Sequence, residues 1–176
     1  MFWLSFISDF FRALRSGQEP GQVSAGFSIG YLIGLMPFFS LQTVLLFALL
    51  FLLNVNLAAG FVAIFIAGFV AWLLDPLIHS LGFWVLVEIP ALHGLWESLY
   101  NLPIAPLTRF YNTVSMGSIL IGIITVWPVF WGMKKLVINY RDRIEARIKK
   151  WKIVQAVKSS KLYGWYEKIL RIRELT

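Results

Sequence analysis

The chain has 176 residues, 59% hydrophobic and only 14% charged, with a mean hydropathy of +0.73, values that exclude an ordinary soluble domain. Its net charge of +7 is unevenly placed: 13 Lys/Arg and 4 Asp/Glu lie from Lys134 onward, against 3 basic and 5 acidic residues before it. The basic character therefore belongs to a tail and argues against nucleic acid as a partner, while the absence of cysteine removes disulfides, thiolate metal sites and cysteine nucleophiles together.

Taken in order, the chain reads as an all-α, small polytopic membrane protein with short or broken, re-entrant helices and a cytoplasmic amphipathic helical tail. Residues 1–16 begin with Phe2, Trp3, Phe6, Ile7, Phe10, Phe11 and Leu14 at helical spacing, which predicts an interfacial helix too short and too charged to span. No basic region precedes these apolar residues, and Asp9, Arg12 and Arg15 interrupt them, unlike a cleaved signal. Residues 20–43 organise the rest of the chain. Gly26, Gly30 and Gly34 at four-residue spacing give a helix one face without side chains; the pattern breaks at Met36-Pro37, and Ser40, Gln42 and Thr43 form a polar cluster just beyond. Residues 22–35 would make a helix of roughly 21 Å, short of the roughly 30 Å of a bilayer core. Residues 41–53 are similarly short. Either the pair is broken or re-entrant, which needs protein or water around the freed backbone, or both are tilted spans joined by a tight turn.

After a polar turn at Asn54-Val55-Asn56, residues 57–74 predict a helix carrying Ala59, Ala63, Ala67 and Ala71 at the same four-residue spacing, with Gly60 and Gly68 one step round. Lipid offers helices no hydrophobic drive to associate, so small faces in close contact are the expected interface. The glycine stripe and the alanine stripe are the natural partners. Asp75-Pro76 is expected to end this helix, with residues 77–87 resuming it, so that 22–53 and 57–88 form two broken pairs. Residues 91–100 predict a second interfacial helix, and Pro103 and Pro106 stiffen the connector after it. Residues 114–133 are the cleanest span, with Ser118 and Gly122 for close packing, a kink expected at Pro128, and Trp127, Trp131, Lys134 and Lys135 at the headgroup boundary. The positive-inside bias makes the tail cytoplasmic, and Arg12 and Arg15 place the N-terminus there too, giving two or four crossings. The membrane domain is thus 1–133 and the basic tail 134–176, with amphipathic helices from Val137 through Trp151 and again at Leu162, Trp165, Ile169 and Ile172. Such helices lie on anionic lipid or dock a partner.

Pro20, Ala25-Gly26, Gly30, Gly34, Pro37, Gln42-Thr43, Asn56, Pro76 and Gly82 together resemble the core pattern of the bacterial membrane family called domain of unknown function 2062, over roughly residues 20–85. That resemblance implies a bacterial inner-membrane location and a helix–break–helix core, and no reaction. Where the family commonly reads Asn-Pro, this chain has Asp75-Pro76, which introduces a titratable group.

The candidate ligand-binding residues are Ser40, Gln42, Thr43, Asp75, His79 and Arg109. A carboxylate at bilayer depth costs about 2.5–3.5 kcal/mol on insertion scales, so Asp75, with His79 four residues on, can bind or shuttle a proton. Asp75 before Pro76 is equally a good helix N-cap. Ser40, Gln42 and Thr43 flank a helix N-terminus, which suits a phosphate or carboxylate, or they serve only to cap and to bond nearby backbone. Arg109, the one basic residue between Arg15 and Lys134, suits a headgroup phosphate, pairing with Glu88 or Glu97, or simple snorkelling. His79, His93, Glu88 and Glu97 are too few and irregular for a metal site; neither a cofactor nor an enzyme is expected, and no nucleophile elbow or phosphate loop is present.

Three functions fit. One is an inner-membrane protein that binds, and in the fuller version translocates, a lipid or lipid-phosphate headgroup at broken-helix ends. Another is a non-catalytic subunit that anchors or organises an envelope complex, and the third a lipid-modifying enzyme using Asp75 and His79. Expected partners are membrane lipids, including anionic lipids at the tail, and either further copies of the chain or another membrane or envelope protein.

Overall fold

The computed structural model describes residues 18–150, with side chains to residue 143; the helices expected at 2–15 and beyond 150 lie outside the described residues. Within them all regular structure is helical, with five α-helices: α1 (Pro20–Leu35), α2 (Leu41–Leu52), α3 (Leu57–Phe83), α4 (His93–Tyr100) and α5 (Thr113–Lys150). A π-helical turn, Trp84–Glu88, extends α3, and 3-10 turns occupy Pro90–Leu92 and Ala105–Thr108. Two stretches are long and apolar enough to cross a membrane, Leu57–Glu88 and Thr113–Arg143. Their outward surfaces are apolar, Trp72 being 72% and Ile124 70% exposed, whereas Ser24, Ser40, Thr43, Ser115 and Ser118 are buried. Small and polar residues inside, large apolar ones outside, is the inverse of a water-soluble domain and suits a lipid surround.

α1 begins with Pro20 at its first position, where the missing N–H costs nothing, and Gln22 Oε1 accepts the Glu19 N–H at 3.1 Å. Its glycine stripe then sets the architecture. A β-carbon on Gly26 would collide with the backbone of Asn56, and one on Gly30 with the backbone of Gly60. One on Gly34 would lie 2.5 Å from Ile64 O and 2.8 Å from Ala67 Cβ. The rising order of contacts, 26 with 56, 30 with 60, 34 with 64–68, makes α1 and α3 parallel. The partner helix is the expected one, but the face is rotated: the glycines meet Asn56, Gly60, Ile64, Ala67 and Gly68 rather than a pure alanine stripe. Ala59, Ala63 and Ala67 are buried, and Ala71 is only half-buried, because α1 ends one turn below it.

α2 returns antiparallel to α1, and Leu50, fully buried, fills the space above Gly60, its Cδ1 2.7 Å from where a β-carbon would sit. Asn56 closes the hairpin: its Oδ1 caps α3 by accepting the Ala59 N–H at 2.7 Å, and its Nδ2 donates to Gln18 Oε1 at 2.7 Å.

α3 does not break at Asp75-Pro76. The helix runs through Pro76 to Phe83, so the expected second broken pair is a single long helix. A proline removes one hydrogen bond, a loss membrane helices tolerate where neighbours pack tightly. Here they do: a β-carbon on Gly82 would collide with the Thr113 carbonyl, and one on Gly117 with the Ile78 carbonyl. This second glycine seam holds the upper part of α3 against the start of α5. Lower down, α5 meets α1, with Tyr31 Oη 2.7 Å from Thr125 Oγ1 and Leu32 Cδ2 2.9 Å from a β-carbon placed on Gly122. α5 is therefore antiparallel to both. α4 occupies most of the 91–100 stretch in which a second short helix is expected. The described residues fall into two units, divided at Ile138/Asn139.

Gly30→Ala should destabilise the protein by at least about 1–3 kcal/mol, since its methyl meets backbone that cannot rotate away. Gly21→Ala, with nothing within 4 Å, should be neutral or slightly stabilising. Thermal unfolding of both variants in detergent checks the pair; equal melting temperatures would overturn the seam.

Candidate functional site

α1 ends at Leu35 and α2 starts at Leu41, so residues 36–40 cross the apex of the hairpin in non-helical conformation. The carbonyl of Pro37 is left without a helical donor. Ser40 Oγ lies 3.1 Å from it and Thr43 Oγ1 3.0 Å, and the two hydroxyls are 2.9 Å apart. Two protons serve three contacts, so both hydroxyls are spent on the break itself. Ser40 occupies the N-cap position of α2, yet its side chain makes no capping bond, because it turns back to Pro37 instead. The first N–H groups of α2 consequently have no side-chain cap.

Gln42 reaches the other way. Its Nε2 donates to Thr108 O at 2.9 Å and to Ser115 Oγ at 3.3 Å, and Ser115 Oγ donates to Thr108 O at 3.3 Å. This triangle ties the apex to the connector and to the first turn of α5. Thr108 O can only accept, which fixes the amide orientation and leaves Oε1 buried without a partner.

The connector presents Arg109. It is the one non-glycine residue with positive φ among those described, at φ 54° and ψ 30°, and it is held there by its N–H to Pro106 O and by Asn112 N–H to its own carbonyl, both 2.9 Å. Asn112 Oδ1 in turn accepts the Ser115 N–H at 3.1 Å, starting α5. Between apex and connector lies a groove of about 620 Å³, lined by Phe38, Phe39, Ser40, Leu41, Thr43, Val44, Phe47, Pro106, Leu107, Arg109 and Tyr111. Four of the six candidate residues, Ser40, Gln42, Thr43 and Arg109, thus come together around one groove and its wall.

Asp75 and His79 do not join them. Asp75 is exposed on a continuous helix, so it is not an N-cap, and it makes no side-chain hydrogen bond to any described residue. It lies 18 residues after Leu57, about 27 Å along α3, just past the midpoint of the candidate span Leu57–Glu88. His79 Nδ1 is 2.6 Å from Thr113 Oγ1, beside the Gly82 contact, and so pins α5 to α3. No Asp75–His79 hydrogen bond forms. Among the described residues, no three His, Asp or Glu side chains gather into a group able to hold a metal. Thr108, Ser115, Phe38 and Tyr111 belong to the site without a periodic signal in the sequence.

A family model described as "Uncharacterized protein conserved in bacteria (DUF2062)" matches residues 5–145, and the chain belongs to that family. The match extends well beyond the 20–85 stretch that carries the motif. An uncharacterized protein of Treponema pallidum (strain Nichols) is 29% identical over 138 residues, covering 78% of this chain and 85% of that protein. No solved structure matches.

Gln42→Leu leaves the Thr108 carbonyl without its amide donor and should cost about 1–3 kcal/mol. Gln42→Glu should cost more, since it sets a carboxylate against that carbonyl. Asp75→Asn should fall within about 0.5 kcal/mol of the parent. Melting temperatures of the three variants in one detergent give the ranking.

Proposed function

We propose that this DUF2062 protein is a multi-pass inner-membrane protein that binds the phosphate of a membrane lipid in the groove at the hairpin apex, with Arg109 as its cation. The observation that carries the reading is the pairing of a single basic side chain with an apolar, aromatic-walled groove. Arg109 is the one basic residue between Arg15 and Lys134, its side chain makes no hydrogen bond or ion pair to a described residue, and Phe38, Phe39, Phe47 and Leu107 line the same space. Guanidinium is well matched to phosphate, the apolar wall suits acyl chain, and the uncapped start of α2 adds a positive dipole end on the same side.

Membrane geometry supports this assignment. α1 has 16 residues and α2 has 12, about 24 and 18 Å, short of the roughly 30 Å of a bilayer core. The hairpin both enters and leaves beside Gln18 and Asn56, so in this reading it is re-entrant, and α3 and α5 are the two crossings. Trp131, with Lys134 Nζ 5.1 Å from its ring centroid, marks the cytoplasmic boundary. Both termini are then cytoplasmic, and the Arg109 groove opens towards the opposite leaflet. Binding is the step that a lipid carrier and a lipid-holding scaffold would share; no catalysis is assigned.

Arg109→Gly removes the charge while relieving the left-handed backbone conformation, so it should keep or raise the melting temperature. Phospholipid retained through purification in mild detergent, measured by mass spectrometry, should fall by roughly tenfold, as expected for a lost charge-assisted contact. Asp75→Asn should retain the parental amount. Lipid retention indifferent to Arg109→Gly, with a stoichiometric protein partner co-purifying instead, would favour the anchoring subunit.

A further inference from the structure

A second cavity adjoins the Arg109 groove and has no part in holding the hairpin. The π-helical turn that ends α3 is tied to α4 by two side chains: Trp96 Nε1 donates to Val85 O at 3.3 Å, and His93 Nε2 lies 3.1 Å from Val87 O. These bonds use carbonyls freed by the irregular turn, and the first of them orients the indole. Between turn, α4 and connector lies a cavity of about 440 Å³, with Trp96, Glu97, Tyr100, Phe110 and Tyr111 on its lining. The rings meet at steep or tilted angles: Tyr100 and Tyr111 are 5.5 Å apart at 80°, Phe110 and Tyr111 6.0 Å at 79°, Trp96 and Phe110 6.0 Å at 38°. Four aromatic rings and one carboxylate around one space make an aromatic cage with a counter-charge. The Glu97 side chain makes no hydrogen bond or ion pair to a described residue; only its backbone carbonyl is engaged, by Asn101.

We infer that this cage takes the ammonium group of a zwitterionic phospholipid whose phosphate sits at Arg109, an assignment that rests on the lipid-phosphate reading of the groove. Aromatic faces attract alkylammonium ions through the ring quadrupole, and a carboxylate beside them adds the opposite charge. Tyr111 lines both cavities, so the cation site and the anion site share a wall. Arg109 lines the cavity on one side of Tyr111 and Glu97 the cavity on the other, an order of charges that complements a headgroup carrying both a phosphate and an ammonium. Leu86 and Val87, also on the cage lining, are in the last turn of the candidate span Leu57–Glu88, which is headgroup depth. A glycerol headgroup offers the cage no cation and would leave Glu97 facing a net negative lipid.

The test uses the full-length chain reconstituted in nanodiscs of equimolar phosphatidylethanolamine and phosphatidylglycerol, extracted into mild detergent, with retained lipids quantified by native mass spectrometry. The parent should enrich the ethanolamine lipid roughly two- to fivefold over the bilayer ratio, the span of cation–π contributions at exposed sites. Glu97→Gln and Tyr100→Leu, both at exposed positions, should return the ratio to that of the bilayer while total retained phospholipid still depends on Arg109. Enrichment that survives both substitutions overturns the cage assignment. Equal retention of the two lipids by the parent, lowered by Arg109→Gly, overturns the ammonium inference and leaves the phosphate reading standing. Retention that is bulk-like and indifferent to Arg109→Gly overturns both.

Discussion

At Gly30 the α1 backbone approaches that of Gly60 until there is no room for a further carbon atom, and much of the remaining structure follows from that contact. Lipid tails are as apolar as leucine, so hydrophobicity cannot hold membrane helices together; close packing must. The seam fixes the register of α1 on α3 at three successive turns, through Asn56, Gly60 and Ile64–Gly68, and with it the parallel direction. Because α1 enters parallel to α3 and is much shorter, the chain has to turn while α3 is still rising beside it. The apex at residues 36–40 is therefore a consequence of the seam as much as of Pro37.

A turn inside the protein exposes backbone that cannot be left unpaired. The Pro37 carbonyl is met by Ser40 and Thr43, and the space beyond the apex is closed by the connector, held through Gln42, Thr108 and Ser115. Most of the polar cluster is thus spent on stabilising the break. Arg109 is different, since its side chain repairs nothing in the fold. A strained left-handed residue that carries the one cation of this region fits recognition better than architecture, and it is around this residue that the lipid-binding proposal is built.

The second glycine seam, Gly82 against Thr113 and Gly117 against Ile78, explains why Pro76 leaves α3 continuous. Packing on both sides of the proline holds the helix in line, and Asp75 is carried along on an exposed face. The residue pair that looked functional from its cost in a bilayer is thereby divided: Asp75 faces outward, while His79 bonds Thr113 across the α3–α5 contact.

The sequence by itself determined the membrane character of the chain, the small-residue face of α1 and the identity of its partner helix. It also determined the break after Leu35, the polar cluster beyond it, and the family. These are local or periodic properties: hydropathy over a window, glycine every fourth residue, a proline after an apolar run. Only the tertiary structure decided that the glycines meet Asn56, Gly60 and Ile64–Gly68 rather than a pure alanine stripe, because a rotation of one residue about a helix axis leaves the periodicity unchanged. It alone decided that Pro76 is bridged, since that depends on Gly117 and Thr113 some forty residues away. It also brought Arg109 beside Ser40 and Thr43, and Glu97 beside Tyr111. No periodic signal links those residues, which lie on turns and connectors whose positions are set by the hydrogen bonds of Gln42 and Trp96.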